Sequence, residues 1–368
     1  MSLLAVTSSH GVKIWMETLI PNVNSMMSMR LAFDKKYTTR SKKPSLKALI
    51  LLTKYSPSSL EQFIQENERL SKKYRIKVES IESDLSKLYV EKEIRGRLVS
   101  GEAIVHSKQE GCLIAYTDEK DYFVKHVLET LFNDLYPDVL RVYFNYKQIK
   151  RFFEAVKDKC SGSSILTHIS IGIRKETKRS KSKLLLWEFG AEDELEKQAK
   201  NYRIWIDYLD FEIKDKNDRI LLQGSLTNKG LIRLKFGEFS YFQESLISLF
   251  LELAFRWQRF FSERERHVEE GKIKLSPYAI SYPADIDEKQ ILELEKGISS
   301  FYSYSVIHGG NPYFVVNLSD YIDGSSFGLT ILDNTITITP MLFSTAYGLW
   351  KLSHRIQRII GEGEIRNI

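Results

Sequence analysis

Leu46-Lys47-Ala48-Leu49-Ile50-Leu51-Leu52-Thr53 is the stretch on which the fold turns. Apart from Lys47 and the terminal Thr53 it is apolar without alternation. Successive side chains of a strand point to opposite sides of its sheet, so a strand-length run that is hydrophobic at consecutive positions predicts a strand buried on both faces.

Downstream, Ser58 followed by Glu61 has capping-box spacing and predicts a helix over Ser59–Lys73, with Leu60, Phe63, Ile64 and Leu70 on one side. Arg75–Ile81 alternates like a strand. Residues 46–93 are therefore expected to hold a small βαβ unit, its parallel pair joined by a right-handed crossover. The unit carries no Gly-rich phosphate loop, so dinucleotide binding has no support. Upstream, residues 1–45 read as an irregular segment with a basic arm, Lys35-Lys36-Tyr37-Thr38-Thr39-Arg40-Ser41-Lys42-Lys43-Pro44, that has no apolar periodicity.

Residues 94–240 read as an α+β block. Strands Glu102–Ser107 and Cys112–Thr117 form a hairpin, a helix covers Tyr122–Leu135, and a strand over Val139–Phe144 leads to a helix over Tyr146–Lys159. Strands Ile165–Arg174 and Leu184–Phe189 follow, then a meander over Trp205–Lys214, Arg219–Leu226 and Leu231–Phe236, in which Thr227-Asn228-Lys229-Gly230 offers a left-handed glycine for the turn. Residues 241–368 form a second block: a helix at 242–262 that is apolar almost all round, a helix at Asp287–Phe301, four strands between Ser303 and Thr339, and a last helix from Met341 to Ile360. Each block ends in a hairpin running into an apolar, arginine-ended helix, a weak internal echo. The expected class is α+β: two blocks mixing sheet and helix, with long apolar helices and the small N-terminal βαβ unit.

Composition sets the outer limits. At 368 residues the chain exceeds the usual single domain, and 43% hydrophobic with 28% charged residues argues against long disorder. Met1–Ile20 has no basic n-region and no continuous apolar core, so no signal peptide is expected. In the most apolar stretch, Phe239–Phe261, Glu244, Glu252, Arg256 and Arg259 argue against membrane insertion. Cys112 and Cys160 match no zinc or redox spacing and build no disulfide framework, which fits a reducing cytoplasm.

The charge is unevenly spread. Arg30–Lys54 holds eight basic residues against Asp34, and Arg141–Lys183 holds twelve against Glu154, Asp158 and Glu176. Those segments carry +7 and +9 of a net +6, so the rest of the chain sums to −10. Such segregation points to an anionic polymer, nucleic acid, as ligand. The candidate phosphate contacts are Lys35, Lys36, Arg40, Lys42 and Lys43 of the arm; Lys147, Lys150 and Arg151 of a helix that turns Ile149, Phe152, Phe153 and Val156 the other way, with Tyr143 and Tyr146 beside them to stack on a base or simply pack; and Arg174, Lys175, Lys178, Arg179, Lys181 and Lys183 of a connection between two strands.

No catalytic motif is convincing, and neither a metal site nor a cofactor is expected. Asp193 with Glu212-Ile213-Lys214 matches an Asp…Glu-x-Lys nuclease pattern, but a hairpin follows where such cores place a helix. His168-Ile169-Ser170 is half of a paired phosphoesterase motif, and His106, His126, His308 and His354 supply no second half. Asp320, Asp323 and Asp333 lie among turn formers without calcium-loop spacing. Two further alternatives are a nucleotide-sensing regulator using residues 46–81 and a pure protein scaffold, since a helix apolar on several sides also fits cover by a partner.

The stretch Asn311-Pro312-Tyr313-Phe314-Val315-Val316-Asn317-Leu318-Ser319-Asp320-Tyr321-Ile322-Asp323-Gly324-Ser325, continued by Thr337-Ile338-Thr339-Pro340, resembles archaeal defence-associated proteins. The overall plan is similar to that of the non-catalytic partners of short prokaryotic Argonautes, which resemble the N-terminal and linker regions of full-length Argonautes. The resemblance implies an antiviral defence heterodimer with a short Argonaute, guide-RNA and target-DNA binding along a shared basic channel, and an effector elsewhere. It assigns a role to no individual residue.

Overall fold

The structure, a computed structural model, describes residues 23–38, 45–145, 148–149, 151–152, 155–156, 164–174, 185–187, 205–215, 217–265, 267–269, 272–310 and 313–368; within these, 164–174, 185–187, 205–208, 267–269 and 272–274 are described by backbone alone. The fold is α+β, with two antiparallel sheets covered by helices.

The helix α1 (Met26–Tyr37) precedes strand β1 (Leu46–Thr53), which all eight of its residues bury. Its faces serve different cores. Leu46, Ala48, Ile50 and Leu52 join one cluster, whereas Leu49 and Leu51 join another. The second cluster is closed by α2 (Pro57–Glu66) through Leu60 and Ile64, by α3 (Glu68–Lys73) through Leu70, and by α4 (121–134) through Val127, Leu128 and Leu131. Each fully buried leucine of β1 contributes roughly 1.5–3 kcal/mol relative to exposure.

The βαβ pairing is not formed. Strand β2 (Arg75–Glu82) pairs with β3 (Leu85–Ile94), β3 with β4 (Arg97–Gln109), β4 with β5 (Cys112–Thr117), and β5 with β1, each antiparallel. The other edge of β1 holds β6 (Val139–Arg141) and, through the register Leu46↔Leu234, β11 (Leu231–Gly237). Both edges of β1 are occupied, so β2 lies at the sheet edge with three strands between it and β1. Beyond β11 lie β10 (Ile220–Thr227), β9 (Trp205–Asp215), β7 (Ser164–Arg174) and β8 (Leu185–Trp187), all antiparallel. The β10–β11 turn takes the expected glycine: Gly230 has φ +70°, and a Cβ there would lie 2.3 Å from the Val142 carbonyl oxygen.

Two helical expectations are corrected. Ser56 rather than Ser58 caps α2, because Pro57 fits the first helical position, and Asn67 caps the separate α3, splitting the expected single helix. Residues 26–37 are helical, not irregular. Met29, Phe33 and Tyr37 recur every fourth position and are buried, a stripe masked in the sequence by Asp34, Lys35 and Lys36.

The second block begins at α5 (239–262), which contains a π turn at Phe242–Ile247. The helix is not apolar all round. Leu249, Phe250, Leu251, Ala254 and Phe261 are buried while Glu252, Arg256 and Arg259 are exposed; Leu253, Phe255, Trp257 and Phe260 form half-buried margins. No described helix is long and apolar enough to cross a membrane. The short strands β12 (His267–Glu269) and β13 (Lys272–Lys274) form a ribbon. Strand β14 (Tyr278–Ser281), helix α6 (Glu288–Ser299), strands β15 (Tyr302–Gly309), β16 (Tyr313–Asp320), β17 (Ser326–Leu332) and β18 (Thr335–Pro340), helix α7 (Ala346–Ile360) and strand β19 (Glu364–Asn367) follow. Their sheet has the order β15-β16-β17-β18-β14-β19. Helix α7 is capped by Thr345 and stops at Gly361, whose φ of +126° suits glycine.

The blocks share one apolar core. Phe250 of α5 packs edge-on against Phe144 and Phe152, and Phe261 stacks on Trp350 of α7 at 5.6 Å. The segment 136–145 lies against the second block: Tyr136 donates to Asp323 at 2.6 Å, and Asn145 donates to Gln357 at 2.9 Å.

Candidate nucleic-acid interface

Helix α7 carries Lys351, His354, Arg355 and Arg358 at helical spacing, with Leu349, Leu352, Ile356 and Ile360 buried on its other side. The apolar stripe fixes the basic one toward segment 136–145 and the β16–β17 turn. Lys351 is anchored: its ammonium lies 2.9 Å from Asp320 and 3.4 Å from the Tyr136 ring centroid. The Arg355 guanidinium lies 3.2 Å from the Phe301 centroid, and its Nη1 is buried without a hydrogen-bond partner. Arg358 is exposed.

His354 stacks on Tyr143 with ring centroids 4.1 Å apart and planes 19° from parallel. Its Nε2 is buried and has no hydrogen-bond partner. Burial, then the positive charges of Arg358, Lys229, Arg355 and Arg141, push the imidazole down to about 3, so it is neutral near pH 7. Arg141 reaches this neighbourhood from the first sheet, where it pairs with Glu129 at 3.2 Å and donates to the Lys229 carbonyl.

Between these groups lies a cleft of about 420 Å³, mouth included, lined among others by Tyr143, Asn145, Gln148, His354, Arg358 and Glu362. Asn145 and Gln148, which lies in a helical stretch, are joined reciprocally, each residue's side chain accepting from the other's backbone N–H. That stretch turns Ile149, Phe152 and Val156 inward and leaves Arg151 exposed, the separation its sequence predicts. The expected strand at Val139–Phe144 stops at Arg141, which frees Tyr143 and Asn145 to form the cleft wall.

The expected phosphate contacts fare unequally. Lys35 is exposed on α1. Lys36 is buried, its ammonium 2.5 Å from Asp118, and so is turned away from any phosphate. Arg174 ends β7 opposite Trp205. Arg40, Lys42, Lys43, Tyr146, Lys147, Lys150, Lys175, Lys178, Arg179, Lys181 and Lys183 lie outside the described residues, as do Cys160 and Asp193. Elsewhere in the first basic segment, Arg30 pairs with Glu244, Lys47 with Asp121 and Lys54 with Asp138. Asp34 caps α5, accepting from the backbone N–H groups of Phe239 and Ser240.

The nuclease pattern is placed differently from a metal centre. Lys214 pairs with Asp218 at 2.8 Å and with Glu212 at 3.7 Å, and the Asp218 hydrogen bond leads the effects raising its pKa. Among the described residues no group of three or more His, Cys, Asp or Glu side chains is arranged to hold a metal ion. Asp320 and Asp323 are tied to Lys351, Tyr136 and Thr345, and Asp333 occupies the β17–β18 turn at φ +49°.

His354 and Arg358 belong to no recognisable sequence motif, whereas Tyr143 stands beside the basic helix as a candidate stacking ring. The basic spacing at 351, 354, 355 and 358 was readable as a helix face; the arrival of Arg141 and Lys229 was not. No protein-family model matches the chain, and no curated protein matches it.

Proposed function

We propose that this chain is a non-enzymatic, cytoplasmic nucleic-acid-binding subunit of a defence complex, pairing with a short Argonaute and contacting guide RNA and target DNA mainly through their phosphates. The observation that carries the reading is a cleft lined by His354 and Arg358, with the positive charges of Arg355, Arg141 and Lys229 close enough to act on the imidazole and the Arg151 helix opening from its wall. Cations from both blocks gathered around one cleft form an electrostatic footprint for a polyanion. Contacts to the backbone position a strand without reading its bases.

Binding of oligonucleotides by the full chain, followed across salt concentration, tests this. With about five phosphates neutralised, log K against log salt slopes near −4 to −5 on duplex DNA and less steeply on a single strand. Arg151→Ala is expected to flatten the slope by about one. Salt-independent affinity, or no binding at about 50 mM salt, overturns the reading.

A further inference from the structure

The cleft has features that a surface tracking a phosphate backbone does not require. We infer that the His354 cleft seats a terminal phosphate monoester of a nucleic-acid strand, an inference that rests on the nucleic-acid reading above and names the group received there. Two contacts cross the cleft from wall to wall: the Tyr143–His354 stack and the Asn145–Gln357 hydrogen bond. A continuing strand needs an entrance and an exit, whereas a bridged cleft suits an end.

The polar groups match that occupant. A buried ring nitrogen without a hydrogen-bond partner is costly, and His354 Nε2 is such an atom. In the tautomer that protonates Nε2, the neutral imidazole donates to a phosphate oxygen. Arg358 lines the cleft and supplies a guanidinium, the group whose planar fork suits phosphate best. Arg141, Lys229 and Arg355 add positive potential around the imidazole. Glu362, also on the lining, opposes an anionic occupant. A monoester, carrying close to two negative charges near pH 7, gains more from those surrounding positive charges than an internal diester with one.

The test uses the full chain and one single-stranded oligonucleotide prepared with hydroxyl ends, with a 5′-phosphate, or with a 3′-phosphate, read by fluorescence anisotropy. One of the phosphorylated forms is expected to bind about ten-fold more tightly than the hydroxyl form. That ratio should fall to about one in both Arg358→Gln, at an exposed position that does not endanger folding, and His354→Gln. Equal affinity of all three forms in the unmodified protein overturns the inference and leaves backbone binding standing. A ratio that persists in both variants places phosphate reading elsewhere and overturns it too. If no oligonucleotide binds, the nucleic-acid reading fails and this inference fails with it. Competition with a nucleoside monophosphate separates the sources: displacement at the same concentration as the phosphorylated strand points to a free nucleotide, whereas displacement only at far higher concentration points to a strand end. Either outcome retains the phosphate monoester as the bound chemistry.

Discussion

Two basic regions of this protein have opposite histories. Arg30–Lys54 is among the most basic stretches in the sequence, yet of its five described cations Arg30, Lys36, Lys47 and Lys54 each face an acid from a distant segment, and only Lys35 is left without such a pair. Lys351–Arg358 is far shorter and carries only +3 in total, yet folding brings Arg141 and Lys229 to it from more than a hundred residues away. Charge segregated along a chain is therefore not charge segregated in space. In the first region the cations hold α1 and β1 in place; in the second Lys351 and Arg141 are also paired, with Asp320 and Glu129, but Arg358 lines a cleft beside an unpartnered ring nitrogen.

That contrast can be broken most severely at Lys36. If its charge is structural, Lys36→Ala leaves Asp118 buried without its ammonium and lowers unfolding free energy by about 3–5 kcal/mol, measured by urea denaturation. A loss below about 0.5 kcal/mol, together with weaker oligonucleotide binding, would return Lys36 to the interface.

Acid tests the second region. The folded state holds His354 near 3, below the value of about 6.5 expected of an unfolded histidine. Between those values the unfolded chain binds the additional proton, so this contribution to stability is full above pH 6.5 and is lost as pH falls toward 3. The slope reaches at most about 1.4 kcal/mol per pH unit for one group. Thermal unfolding of His354→Gln should show a shallower acid limb; an unaltered limb would assign the acid sensitivity to His106, which burial also lowers.

The smallest effect belongs to the exposed pair Arg30–Glu244. Both side chains are well solvated, so Arg30→Ala should cost only about 0.2–1 kcal/mol by the same denaturation measurement. A cost as large as that of Lys36→Ala would erase the distinction between the buried and exposed cations of one segment.

Much of the architecture was legible. The unbroken apolar run at 46–53 foretold a strand with a core on each face, and the meander from 205 to 236 and its left-handed Gly230 read directly from local pattern. The helix faces at 149–156 and the final hairpin before α7 did as well. Where periodicity was weak or interrupted the reading failed. The basic tail of α1 obscured Met29, Phe33 and Tyr37, and half-buried aromatic margins made α5 look apolar on every side. The candidate cleft was only partly visible, through the basic spacing on α7.

Sequence alone determined the α+β class, the strand and helix faces and the net charge, because these depend on neighbours within a few residues of one another. The tertiary structure decided which strand lies beside β1, which lysines are neutralised and where His354 meets Tyr143. Those outcomes depend on pairings between distant segments. A β-strand offers two edges with no local preference for a partner, and a charged side chain pairs with whichever opposite charge the completed fold brings within reach.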